Sequence, residues 1–139
     1  MSPTAIFWPM LAHVLLVYIV YLMLAVRRRA TVSSGEARPA QFKLRGSEPE
    51  SSATVSNNLM NQFELPVLFH MLCLALFVTG GVSVVTVTLA WLFIALRYVH
   101  AWVHVTSNRL RLRSPVFRLG AAVLGVAWIW FALHLGGAV

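Results

Sequence analysis

Hydrophobic residues gather in four long runs, at about residues 4–26, 58–79, 82–106 and 115–135, with polar residues between them. Each run is close to the ~20 residues that an α-helix needs to cross ~30 Å of hydrocarbon. The pattern therefore predicts four transmembrane helices. Arg27, Arg28 and Arg29 end the first run, Gly80 and Gly81 give a short turn between the second and third, and Pro115 suits the first turn of the fourth. Pro9 falls in the opening turns of the first run, where a missing N–H costs little. Pro66 lies inside the second run and predicts a kink there. Residues 27–57 form the one long polar connection, rich in Ser, Glu, Pro and Ala. We read it as a loop with a short surface helix around residues 41–44.

Two polar stripes interrupt this apolar pattern. Arg97, His100, His104, Asn108 and Arg111 follow one another at separations of three or four residues, so on one continuous helix they share a face. Asn57, Asn61 and Glu64 repeat that spacing at the start of the second run. Charged and titratable side chains at membrane depth are costly, and they turn toward a bundle interior or a watery cavity. These stripes hold the candidate functional residues. Glu64 and Arg97 lie at similar depths if their helices are adjacent and antiparallel, and either charge left alone is strongly unfavourable. A Glu64–Arg97 contact is therefore expected.

His100 and His104, four residues apart, have a spacing that can serve a metal, but a metal needs a third and normally a fourth ligand. Glu64 is the only acid near that depth, so no metal is expected, and the imidazoles are read as hydrogen-bonding to neighbouring helices or to a polar ligand. His13, His70 and His134 are read as hydrogen-bonded packing residues. Arg109, Arg111 and Arg113 stand at the mouth of the third run, where contact with lipid headgroups accounts for at least two of them. Arg111 continues the stripe, and a guanidinium there could hold a carboxylate or lower a thiol pKa. There is no Ser-His-Asp arrangement, phosphate loop or pair of cysteines. Cys73, alone in an apolar run, reads as a small core or lipid-facing residue.

Composition agrees with this reading. The 139 residues are 59% hydrophobic and only 11% charged, against about 25% charged in a soluble domain. The chain is read as a single integral membrane domain. The net charge of +7 would suit nucleic acid in another setting, but the basic residues here flank apolar runs, so the expected partners are membrane lipids and not nucleic acid. Lys and Arg concentrate in the first and third connections and are missing from the turn at Gly80 and from both tails. That asymmetry places the basic connections in the cytoplasm and both termini outside. No cleavable leader is expected, because the first run has its basic cluster after it and is long enough to span.

The residues also point to a family. The run Asn61-Gln62-Phe63-Glu64 followed by Pro66 resembles the second-helix signature of the MAPEG family. These are small membrane proteins of eicosanoid and glutathione metabolism, including microsomal glutathione transferases and leukotriene and prostaglandin synthases. Arg97-Tyr98-Val99-His100 followed by His104 resembles the family's third-helix signature, and Arg113-Ser114-Pro115 resembles its turn into the fourth helix. Asn57 stands where the signature has arginine, and His104 where it has tyrosine. The pattern spans nearly the whole chain and is similar to the bacterial members.

The resemblance implies an all-α integral membrane fold: a left-handed four-transmembrane-helix bundle assembled as a homotrimer, with sites between protomers at the cytoplasmic side. It implies glutathione as co-substrate, held by Asn61, Glu64, Arg97, His100 and His104, with Arg111 or Arg113 as the catalytic arginine. The expected function is a glutathione-dependent transferase or peroxidase in a bacterial inner membrane, acting on lipophilic electrophiles that enter from the bilayer. The alternative is a non-catalytic trimeric membrane protein that binds a lipid or other anionic ligand in the same cytoplasm-facing cleft.

Overall fold

Four helical stretches are long and apolar enough to cross a membrane, at Pro3–Ser33, Glu50–Val78, Val84–Val105 and Leu110–Leu135. The computed structural model describes residues 1–43 and 47–139. A 3-10 turn at Pro3–Ile6 leads into α1 (Phe7–Ser33), α2 (Glu50–Asn61) and α3 (Leu65–Val78) share the second stretch, and α4 (Val84–Val105) and α5 (Leu110–Leu135) form the third and fourth. The architecture is the all-α membrane fold that the hydrophobic pattern predicts. The long polar connection carries a 3-10 helix at Pro39–Lys43. Leu44, at the end of the expected surface helix, lies outside the described residues. α2 begins well before the apolar run because its first two turns bury Ser52 and Val55 inside the protein.

Pro66 does more than kink the second stretch. α2 ends at Asn61 and α3 starts at Leu65, with the proline in its first turn. Pro66 has no N–H to give to the carbonyl four residues back. Gln62 and Phe63 close tight turns onto the carbonyls of Leu59 and Met60, and Glu64 takes φ −91° and ψ −101°. The helical ladder is thereby interrupted, and the carbonyl of Asn61 is open to a partner from another helix.

The stripe on the third stretch is also divided. α4 ends at Val105, and Asn108 adopts a left-handed φ of 47° in the turn that follows, a conformation that asparagine tolerates better than most residues. Arg97, His100 and His104 are buried on α4, whereas Arg111 belongs to the first turn of α5 and no longer shares their face. Pro115 lies inside α5 and not at its start.

At the opposite end, the turn from α3 to α4 depends on two glycines. Gly80 has φ 71°, and a Cβ on Gly81 would come within 2.7 Å of the His134 ring. His134 Nε2 donates to the Thr79 carbonyl at 3.2 Å, tying α5 to this turn. Ser83 then caps α4 in a reciprocal box with Thr86.

The core has two apolar parts. The larger joins Ile6, Phe69, Leu72, Cys73, Leu76, Phe93, Ile94, Leu124 and Ala127, with Phe69 and Phe93 stacked at 4.9 Å. Cys73, 1% exposed, is a core residue. The smaller part, toward the polar connections, joins Leu16, Val20, Leu24, Val55, Ala101 and Val105. His13, Asn58, Gln62, Arg97, His100 and His104 are all buried as well. They come from α1, the end of α2 and α4, and such a set of polar groups is tolerable in a membrane only when its members bond one another.

Candidate functional site

Arg97 organises this polar set. Its side chain is 2% exposed, and Nη2 donates to the freed carbonyl of Asn61 at 2.8 Å and to Gln62 Oε1 at 2.9 Å. The expected Glu64–Arg97 contact is not formed within the chain. Among the described residues the one ion pair joins Arg28 to Glu48, and Glu64 is exposed at the break. The helix break explains the difference: it turns the carboxylate outward and leaves a backbone carbonyl facing the guanidinium.

The direction of every later bond follows from Arg97, because a guanidinium only donates. The Gln62 atom facing Arg97 must be the carbonyl oxygen, so the Gln62 amide nitrogen faces α2, where it donates to the Asn58 backbone carbonyl at 3.3 Å and to Asn58 Oδ1 at 3.1 Å. Asn58 then turns its own amide nitrogen to His104 Nδ1, 3.3 Å away. Asn61 Nδ2 approaches the same nitrogen at 3.4 Å. His104 Nδ1 is therefore an acceptor, and the ring proton sits on Nε2. On the other side Gln62 Oε1 also accepts from His13 Nε2 at 3.3 Å, which leaves His13 Nδ1 to accept from His70 Nε2 at 3.0 Å. One charge thus sets the tautomers of three histidines.

These bonds hold up the wall of an open cleft. One lobe, about 250 Å³, is lined by Asn61, His100, Leu110, Arg113, Ser114 and Phe117. The adjoining lobe, about 280 Å³, is lined by Asn57, Met60, Asn61, Glu64, His104 and Arg113. Asn61 and Arg113 border both. Arg113 is held by a hydrogen bond from Nη1 to Asn108 Oδ1, so the left-handed turn positions the arginine. His100 Nδ1 and Arg97 Nε are buried and have no hydrogen-bond partner among the described residues. The cleft thus combines a guanidinium, an exposed carboxylate, two asparagine amides and two imidazoles. Such a set suits a polar ligand carrying both an amine and a carboxylate.

Asn61, Glu64, His100, His104 and Arg113 therefore meet at one place. Arg97 supports the wall from within and lines neither lobe. Arg111, the residue expected to continue the stripe, is exposed and lines neither lobe either. Sequence reasoning passed over Asn58 and Gln62, and it did not join His13 and His70 to them. A signal was present: Asn58 and Gln62 are four residues apart, so they share a helix face, and unpaired amides at that depth require partners.

The fold and the cleft define a multi-pass helical membrane protein with a polar site near one end of its bundle. The MAPEG family model matches residues 5–133, nearly the whole chain, and the chain belongs to that family of membrane proteins of eicosanoid and glutathione metabolism. No curated protein and no solved structure matches it.

Proposed function

We propose that this chain, as a single domain over residues 1–139, is a membrane-embedded glutathione-dependent transferase or peroxidase acting on lipophilic electrophiles. The observation that carries the reading is the convergence of Asn61, Glu64, His100, His104 and Arg113 on one open cleft. Glu64 offers a counter-charge to the ligand's ammonium group, and the asparagine amides fit its peptide groups. Arg113 can pair with a carboxylate or stabilise a thiolate. His104, with its proton on Nε2, adds a donor. Holding a thiolate beside an apolar electrophile would supply both orientation and charge stabilisation. Arg111 stays the second candidate for the catalytic arginine. A homotrimer would cover apolar faces that the single chain leaves open: Leu112, Leu119, Val126, Ile129 and Leu133 of α5 are all exposed.

Calorimetry on the purified protein should detect glutathione binding at millimolar concentration or below, with a rise in thiolate absorbance on mixing. Absence of binding would remove the transferase reading. It would favour the second one, a trimeric protein that holds a lipid or another anionic ligand in this cleft without catalysis. That alternative draws support from Asn57, which puts an amide in the cleft where the family signature has a guanidinium.

The site is proposed to face the cytoplasm of a bacterial inner membrane, with both termini outside. The basis is that nine of the eleven Lys and Arg residues lie in the first and third connections, with Arg118 just beyond the third. Cysteines placed at Ser33 and at Ala138, both exposed, in a Cys73→Ser background should label from opposite sides of the membrane. Labelling of both from one side would overturn the orientation.

A further inference from the structure

The two lobes of the cleft hold few charges. Among the described residues, Arg113 is the one cation and Glu64 the one anion that line either of them. Both border the lobe that also holds Asn57. Arg113 alone continues into the other lobe, beside Leu110, Ser114 and Phe117. Nearby basic groups do not change this count. Arg97 spends Nη2 on Asn61 and Gln62 behind the wall. Arg109 and Arg111 are exposed and line neither lobe, so water and salt screen them.

The two imidazoles add no charge. His104 accepts amide hydrogens at Nδ1. His100 is 3% exposed, and its Nδ1 has no hydrogen-bond partner among the described residues. In the charged form that atom would be a stranded donor, one helical turn from Arg97. Asn57, Asn61 and Ser114 are uncharged and suit amide groups. Glutathione has an ammonium and a carboxylate on one carbon at its glutamyl end, a thiol in the middle, and a second carboxylate at its glycyl end. Glu64 and Arg113, on one lobe, match the glutamyl end. The same guanidinium must serve the thiolate. No cation is left for the glycyl carboxylate, which would lie unpaired against Leu110 and Phe117, a costly position.

We propose that the thiol co-substrate of this cleft carries a single carboxylate: a γ-glutamyl thiol peptide of the glutathione type whose C-terminal carboxyl is masked as an amide. This deepens the thiol reading and rests on it. The glutamyl end lies between Glu64 and Arg113. The amide end lies at Asn61, Leu110 and Ser114, where a neutral group that both donates and accepts is matched by neutral partners. The chain's net charge of +7 works in the opposite direction. Long-range attraction favours the more anionic ligand, so a preference for the amide can arise only within the cleft.

The test is calorimetry on the full-length protein in nanodiscs of neutral phosphatidylcholine, with three thiols. They are glutathione, glutathione amidated at its glycyl carboxyl, and glutathione amidated instead at its glutamyl α-carboxyl. The glycyl amide should bind at least ten-fold tighter than glutathione, and the glutamyl amide at least ten-fold more weakly than the glycyl amide. Leu110→Arg, at an exposed position on the Phe117 lobe, supplies a second cation. It should narrow the preference for the glycyl amide over glutathione at least five-fold. Glutathione binding as tightly as its glycyl amide, or equal binding of the two amides, would overturn the proposal and leave the thiol reading standing. An unchanged preference in Leu110→Arg would overturn it too. Failure of all three thiols to bind at millimolar concentration would remove the thiol reading and this proposal together.

Discussion

Replacing Gln62 with leucine should destabilise the folded protein by about 3–5 kcal/mol, the range for removing one partner of a buried charge. The substitution barely changes side-chain volume, so a cavity contributes little. What is lost is the acceptor for Arg97 and for His13, and the donor that orients Asn58. Arg97 would keep the Asn61 carbonyl but would have no other hydrogen-bond partner among the described residues in a site only 2% exposed. Removing both sides of the interaction leaves nothing stranded, so the double variant Gln62→Leu with Arg97→Met should lose clearly less than the sum of the two single changes. Denaturant titration in detergent reads all three. A loss below about 1 kcal/mol for Gln62→Leu, or strict additivity of the pair, would mean that Arg97 does not depend on this amide. Gln62→Glu separates stability from orientation. Its carboxylate accepts from Arg97 but cannot donate to Asn58, so it should retain more stability than leucine while disturbing His104.

The second large effect concerns the arginines. Under the proposed function, Arg113→Leu should lower turnover with a model electrophile roughly 10²–10³-fold, the size of effect seen when one donor to a developing negative charge is removed. Glutathione binding should weaken much less if the guanidinium acts mainly on the thiolate. Arg111→Leu, at an exposed position that lines neither lobe of the cleft, should leave turnover within about two-fold, as expected of a surface charge. Asn108→Ala should fall between them, because it releases Arg113 from its tether without removing the charge. Single-turnover kinetics beside equilibrium binding distinguishes these outcomes. A large loss in Arg111→Leu with a small one in Arg113→Leu would reverse the assignment.

Glu64 and Gln62 mark the boundary between what could be read along the chain and what could not. Glu64 stood out as the lone acid near an apolar run, and the cleft includes it. Its expected partner was Arg97, because charge and depth are both visible in one dimension. The arginine instead found a backbone carbonyl, and no residue type announces which carbonyl a helix break will free. Gln62 sits two residues from Glu64 and looked less significant because it carries no charge. Yet it is the amide that passes the direction of Arg97's hydrogen bond on to His104. The choice between Arg111 and Arg113 was closed to sequence for a related reason: the stripe assumes one continuous helix, and the left-handed turn at Asn108 ends that helix three residues earlier.

The sequence by itself determined the spans, the grouping of basic residues on one side of them, the two sets of polar residues, and the family. Lipid imposes its cost residue by residue, so a run of about 20 apolar positions and a polar exception within it are legible without knowledge of any neighbour. Only the tertiary structure decided that the second span divides at Gln62, that Arg97 bonds Asn61 and Gln62, that His104 carries its proton on Nε2, and that Arg113 reaches the cleft. Each of these depends on where a hydrogen-bonding group finds its partner across the bundle, and that partner is set by helix rotation and backbone breaks and not by residue type.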